Sequence, residues 1–343
     1  MSFLPKLTQE LQEVFRPIVI HSPGEMTIAG RLVAAPPAAQ MPAQMAAPGA
    51  VQPAPLAGML QMELYIHAYQ RRPFGPAPAE PPASDADSAF LAELSAANAG
   101  RERWQDGWQV VFVEPASGLL TAQKQNAMQM FWPGQFSAAE GPQAAPRIGG
   151  MVNVLLAKED LRSQPGYYIA MSETAPDQQD QLSFMRFYWN LRPEGAAPLV
   201  RSLTSAFNRF QVPFRFKTLA RRADYSRADA AVLFVSRRYQ QIALRLLPDV
   251  WSRLKPHLKP DTPLFTKPLA PGLGAAEDPA NGSSFGLHRC GLTAQAIYDA
   301  WMQGSQTEPA RLASLARCFE MQGLSPVTPH LRAGSTDCYA PLV

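Results

Sequence analysis

Apolar positions along the chain follow two periods, and each change of period marks an element. Near the start, Leu7, Leu11 and Phe15 in MSFLPKLTQELQEVF form one stripe at helical spacing, which predicts a short amphipathic helix. SDADSAFLAELSAAN opens on capping residues and carries Phe90, Leu91 and Leu94, which predicts another helix. Alternation then takes over. WQDGWQVVFVE reads as an Asp-Gly turn followed by a β run; GGMVNVLLAKEDL reads as a strand, as does QPGYYIAMSE after its Pro-Gly turn. FMRFYWNL is a strand dense in aromatics, and Leu199, Leu203, Phe207 and Phe210 predict a helix with Pro198 in its first turn. In PFRFKTL, Phe214 and Phe216 point one way, Arg215 and Lys217 the other. RADAAVLFVS is an apolar strand that leads into a helix striped by Tyr239, Ile242, Leu246, Val250 and Leu254. PLFTK is a short strand ended by Lys267; a Gly/Pro-rich loop then leads to a helix that turns Cys290, Ala294, Ile297 and Trp301 inward. Helices and strands interleave without a βαβ rhythm. The expected class is therefore α+β, a mixed or antiparallel sheet packed with helices in one body or two sub-domains.

Composition refines this picture at its edges. With 343 residues, 46% of them apolar, the chain can bury a sizeable core. The stretches 31–57 and 73–84 are rich in Pro and Ala and cannot form one, so they read as surface insertions or spacers. No run approaches the roughly 20 apolar residues that span a bilayer. The N-terminus lacks a secretory pattern, and the expected location is the cytoplasm. Cys290, Cys318 and Cys338 are far apart with no metal-ligand spacing, so zinc, or any other metal or cofactor, is not expected. The net charge of +3 is unevenly spread: residues 186–259 hold fifteen Arg or Lys against four acids, or +11, leaving about −8 elsewhere. A concentrated positive field implies an anionic ligand; a solvated basic face is the plainer account.

Candidate chemistry gathers around 266–292, TKPLAPGLGAAEDPANGSSFGLHRCGL. Ser284 sits where an N-cap belongs, with His288 in the first helical turn and Arg289 beside it. A helix N-terminus next to an arginine is a seat for an anion. The alternative is that His288 only caps or packs near the loop. The glycines match neither a phosphate-binding P-loop, whose GK[ST] ending is missing, nor a dinucleotide fingerprint. Arg215 and Lys217 on one strand face, Arg227 in DYSRAD, Lys267 and Arg192 would make a phosphoryl pocket if they converge with Arg289. Arg237, Arg238, Arg245 and Arg253 read as a solvated helix face. Phe184, Phe187, Tyr188 and Trp189 read as core more readily than as a base-stacking platform, which ranks nucleic acid last among partners.

YYIAMSE, RFYWNL, VPFRFKTL, YSRADAAVLFVSRRY and FTKPLAPGLGAAEDPANGSSFGLHR, in this order, resemble the HopA-type effector family, over about 165 to 295. That family was named for type III secreted effectors, and relatives occur beside kinase-like partners in peptide clusters, including class V lanthipeptides. The resemblance divides the chain into a variable region, 1–150, and a core domain, 151–343. It also implies a secreted location as an alternative to the cytoplasm. The activity it implies is a phosphoserine or phosphothreonine lyase, eliminating phosphate from a peptide without a metal and with a pocket like that of the phosphothreonine lyases. On that reading Lys217 is the first choice of base, with Lys267 its rival, and His288 is the acid. Arg289, Arg227, Arg192 and Arg215 hold phosphate; Ser284 completes the seat; Tyr225 and Asn190 orient the substrate; Asp229 pins an arginine. The expected partners are a phosphorylated peptide or protein and a kinase-like protein. A non-catalytic module that docks phosphorylated or acidic peptides is the alternative.

Overall fold

A computed structural model describes residues 4–35, 54–74, 84–141, 143–279 and 281–342. Helix α1 (Pro5–Phe15) leads into a three-stranded meander, β1 (Ile18–Ser22), β2 (Glu25–Ile28) and β3 (Arg31–Ala34). Helix α2 (Pro55–Leu64) runs on into a π turn over Tyr65–Tyr69, and α3 (Asp85–Ala97) follows. A five-stranded sheet comes next, from β4 (Arg103–Val113), β5 (Leu120–Lys124), β6 (Ala127–Phe131), β7 (Phe136–Ala138) and β8 (Met151–Leu156), in the order β6-β5-β4-β8-β7.

The rest of the chain builds the sheet that carries the candidate site. Its strands are β9 (Glu159–Asp160), β10 (Tyr167–Met171), β11 (Phe184–Trp189), β12 (Phe214–Leu219), β13 (Ala231–Ser236), β14 (Lys267–Ala270) and β15 (Leu273–Glu277). They lie in the order β14-β15-β11-β13-β12-β10-β9, every pairing antiparallel. Between them run α4 (Gln178–Gln181), α5 (Ala196–Arg209) and α6 (Gln240–Leu254), and after them α7 (Phe285–Met302) and α8 (Glu308–Met321). One face of this sheet buries Phe187, Phe216 and Leu233 against α3, α5 and α6; the other buries Tyr188, Val232 and Phe234 with α1, α2, α7 and α8. The fold is α+β. Among the described residues no helix is long and apolar enough to cross a membrane.

Several local expectations change for physical reasons. Asp106-Gly107 is not a hairpin turn: it is a bulge inside the single long strand β4, where Gly107 takes φ +74° and the register shifts between Gln105 and Trp108. Much of the Gly/Pro-rich loop is the hairpin β14–β15, turned at Gly272, where φ is +74°. All of β15 is buried, and a side chain at Gly274 would meet Thr266 Oγ1 at 2.6 Å, so LGAAE is a strand of small residues under tight packing. Lys267 therefore begins a strand rather than ending one. The Pro/Ala-rich stretches contribute β3 and the start of α2 at their margins; 36–53 and 75–83 lie outside the described residues. Position 150/151 falls within the five-stranded sheet, because β8 pairs with β4 and β7.

Candidate active site

Paired residues of an antiparallel sheet point to the same face. The row Arg215–Phe234–Arg186 across β12, β13 and β11 thus sets a guanidinium on each side of one phenyl ring. Their central carbons lie 4.8 and 5.3 Å from its centroid. The next row on that face is Lys217–Val232–Tyr188. Lys217 Nζ lies 4.6 Å from the Tyr167 ring centroid and 5.7 Å from that of Phe234, within cation–π reach. Arg227, just before β13, makes a two-pronged ion pair with buried Asp229 at 2.5 and 2.6 Å. The Tyr65 hydroxyl lies 3.5 Å from both partners. Arg186 pairs with Asp278 and reaches the Ser283 carbonyl at 3.5 Å, which ties the sheet face to the loop entering α7.

Part of the excess charge of 186–259 is matched from outside that segment. Arg221 pairs with Asp87, Arg222 with Glu93, Arg237 with Glu277, and Arg238 with Asp177 and Asp180. Arg237 and Arg238 are accordingly not a merely solvated face. Among the described residues, Lys217 makes neither ion pair nor hydrogen bond. Burial pushes its pKa down to about 8; Asp229 opposes the shift, while Arg215, Arg186 and Arg227 add to it. A useful fraction of Lys217 is thus a neutral amine near neutral pH, which is what a general base requires. Replacing Asp229 by Asn removes the opposing influence, so the Lys217 pKa falls further. The expected result for Asp229→Asn is a Lys217 amine that titrates at lower pH than in the wild type, followed by NMR of the lysine side chain.

The structure brings together Lys217, Arg215 and Arg227, and disperses the other residues expected at the site. Lys267 shares a row with Ala275, Phe187, Leu233 and Phe216, so it faces away from Lys217 and lies four strands, about 19 Å, across the sheet. Its ammonium is held by Asp337 at 2.5 Å. Ser284 does cap α7, accepting from the Leu287 N–H at 3.2 Å. Arg289 is no phosphate ligand. Fully buried, it donates to the carbonyls of Pro329 (2.8 Å) and Leu331 (2.7 Å) and lies over the rings of Phe285 and Phe319. Burial lowers its pKa to about 10. Its third bond, at 2.6 Å, goes to Nδ1 of His288. Burial and the Arg289 charge push the His288 pKa down to about 4, so the ring is neutral with its proton on Nε2. A neutral imidazole is not the stored acid expected there. Tyr225 is core, its hydroxyl 2.8 Å from both Thr218 Oγ1 and the Leu219 carbonyl. Asn190 is buried and donates to the Asp261 carbonyl. Arg192 is exposed, donating to the Pro256 carbonyl, six residues beyond Arg186 and so roughly 20 Å along the chain.

Arg186, Tyr65, Tyr167 and Asp278 complete the cluster and were not among the expected site residues. Arg186 had a signal: it shares strand parity with Tyr188 and so faces the same side as Arg215. Tyr65 is placed by close packing. A Cβ at Gly286 of α7 would meet Tyr69 Cε1 at 2.5 Å and Tyr65 Cε2 at 2.8 Å. Gly286→Ala must push both rings away; it is expected to cost about 1–3 kcal/mol, read as a lower urea midpoint, and to part Tyr65 from Arg227.

A model of the HopA1 effector protein family matches residues 159–331, half of the chain. The chain belongs to the HopA1 effector protein family. The matched span includes Lys217, Arg215, Arg186, Arg227 and Asp229, so most of the cluster lies within the HopA1 region. Two solved structures are similar. One is the effector protein from Pseudomonas syringae pv. tomato strain DC3000, at 18% identity, covering 81% of this chain and 95% of that one with a TM-score of 0.44. The other is the effector protein from Pseudomonas syringae pv. syringae strain 61, at 13% identity, covering 81% and 96% with a TM-score of 0.44. The comparison with curated proteins returned no match.

Proposed function

We propose that this HopA1 family member is a phosphoserine or phosphothreonine lyase acting on a peptide or protein at the Arg215–Lys217 cleft. The observation that carries the reading is Lys217: half-buried, without an ion pair among the described residues, its pKa lowered to about 8 by burial first and by the neighbouring arginines after it. Lys217 Nζ takes the Cα proton. The C–H electron pair becomes the Cα=Cβ bond, and the Cβ–O bond breaks with its electrons passing to phosphate. Arg215 and Arg186 bear the charge on the departing phosphate. The leaving oxygen takes a proton, for which the Tyr65 and Tyr167 hydroxyls are the cleft's O–H donors. A kinase-like partner supplies the phosphorylated substrate, in the cytoplasm of the producing cell or of a host.

A second reading is favoured by His288, whose ring is held by Arg289 and kept neutral by burial and by that charge, so it is no stored acid. On it, the cleft binds a phosphorylated or acidic peptide without turning it over. Incubation with phosphoserine and phosphothreonine peptides, alone and with a kinase-like partner, separates the two by mass spectrometry. The lyase yields a peptide lighter by phosphoric acid, with a dehydro-residue; the binding module returns the peptide intact.

A further inference from the structure

Where the five-stranded sheet meets the β9–β10 end of the large one, a pocket of about 100 Å³ lies beside the Lys217 cluster. That volume is below the roughly 300–1,000 Å³ of small-molecule sites, so it suits one side chain rather than a free ligand. Met130, Phe131, Trp132, Leu155, Leu156 and Met171 form its apolar lining. Strand pairing fixes its place relative to the cluster. Met171 is the register partner of Arg215, and Asp160, also in the lining, shares the row Asp160–Ile169–Lys217. Both therefore point to the face of the sheet that carries Lys217. Paired Cα atoms lie about 5 Å apart, one to two residues of an extended peptide at ~3.3 Å each.

The walls are held in place by the chain itself. Trp132 begins a tight turn: its carbonyl accepts from the Gln135 N–H at 2.9 Å, and its own N–H donates to Gln135 Oε1 at 2.9 Å. The Gln135 carbonyl accepts in turn from the Leu155 N–H of β8 at 2.7 Å. On the opposite wall, the Ser172 N–H donates to the Phe214 carbonyl at 3.2 Å, which ties the pocket to β12, and its hydroxyl donates to the Thr174 carbonyl at 2.6 Å. Fixed walls lower the ordering cost of binding. The two carboxylates of the lining are already engaged. Glu159 accepts from the Ser95 and Tyr168 hydroxyls, each at 2.8 Å, and Asp160 Oδ1 accepts from the N–H groups of Arg162 (2.9 Å) and Ser163 (3.0 Å). They offer little to a polar guest, and their charge repels an acidic one. What remains is apolar surface, including Met130 at 68% exposed, a flexible thioether that moulds to its partner.

Charge decides what lies next to that surface. Among the described residues Arg215 makes no ion pair, so the row beside Met171 presents an uncompensated guanidinium to an anion. We propose that the pocket selects the substrate: it takes an apolar side chain lying within two residues of a phosphorylated serine or threonine whose phosphate rests on Arg215 and Arg186. This rests on the reading of the Arg215–Lys217 cluster as the phosphopeptide site, and it narrows the substrate to peptides with a Leu, Met or Phe beside the phosphorylated residue. The groups that meet phosphate lie within the matched span 159–331, whereas Met130 and Trp132, which meet the neighbouring side chain, lie outside it.

The test is fluorescence anisotropy on the full chain carrying Lys217→Met, which keeps the peptide intact. The probes are labelled alanine-based peptides with a central phosphothreonine and one leucine, moved through every position within two residues of it. At one of these positions leucine is expected to tighten binding about tenfold over alanine, as burial of one aliphatic side chain does, and glutamate there to weaken it. Trp132→Ala and Met171→Ala, added singly, are each expected to shrink that leucine-over-alanine ratio to about twofold. Met130→Ala, at the most exposed wall, is expected to shrink it too, and keeps the test open should the other two fold poorly. No gain from leucine at any position, with phosphothreonine still binding better than threonine, overturns the proposal and leaves the cluster as the phosphate site. So does a preference for lysine or arginine over leucine, or a leucine ratio unchanged in all three variants. Equal binding of phosphothreonine and threonine in every peptide contradicts the reading of the cluster itself, and the proposal falls with it.

Discussion

Lys217→Met is expected to lose phosphate elimination by a factor of about 10²–10⁴ while making the protein more stable. Both effects have one origin. Folding places a lysine among three arginines on a half-buried sheet face, and its pKa drops from the ordinary 10.5 to about 8. The charged form is therefore disfavoured by up to about 3 kcal/mol. Methionine keeps most of the apolar stem and removes the charge. Loss of the contacts to the Tyr167 and Phe234 rings offsets part of the gain, at about 0.5–1 kcal/mol each, so the net stabilisation is about 1–2 kcal/mol. Its pH dependence has a definite sign. Between about 8 and 10.5 the unfolded chain binds more protons at this lysine than the folded one, so wild-type stability rises with pH there. The advantage of Lys217→Met is complete below about 8 and fades as pH climbs through that window. A residue kept only for packing would not combine lost activity with raised stability. Urea midpoints at pH 7 and pH 10, beside turnover of a phosphothreonine peptide, check both halves.

Arg289→Met is expected to do the reverse: to cost about 3–5 kcal/mol and leave turnover per folded molecule unchanged. Three acceptors lose their donor at once, namely the carbonyls of Pro329 and Leu331 and Nδ1 of His288. Each buried group left unpaired costs about 1–3 kcal/mol, partly relieved where the C-terminal segment pulls away to water. That segment also supplies Arg332, whose N–H meets Glu277 at 3.3 Å, and Tyr339, whose hydroxyl donates to Glu277 at 3.1 Å. Loosening should therefore spread along 329–339, visible as faster amide exchange there. A loss of kcat in fully folded Arg289→Met would instead return this arginine to the site.

The difference between these two residues shows what was legible in the chain. Alternation in PFRFKTL placed Arg215 and Lys217 on one face, and the helix periods placed the cores on either side of the sheet. Arg227 and Asp229 were readable as a local pair because only Ala228 separates them. Arg289 was not readable: its partners are 40 and 42 residues further on, in a segment with no periodic pattern. The contrast between Lys217 and Lys267 likewise depends on the strand order β14-β15-β11-β13-β12, which no local pattern encodes. Helix α8 and the short meander β1–β3 were not anticipated; their apolar residues pack into the shared core on the α7 side. The hairpin β14–β15 was hidden by its composition, since Gly, Ala and Pro signal a loop unless close packing is known.

The most direct measurement compares Lys217→Met with Lys267→Met as purified, folded proteins on one phosphothreonine peptide, with the dehydro-product followed by mass spectrometry. The Lys217 cleft as the site of elimination predicts product from the wild type and from Lys267→Met, and none above background from Lys217→Met. Product from Lys217→Met at the wild-type rate, or its loss in Lys267→Met alone, would contradict it and move the chemistry to the other face of the sheet.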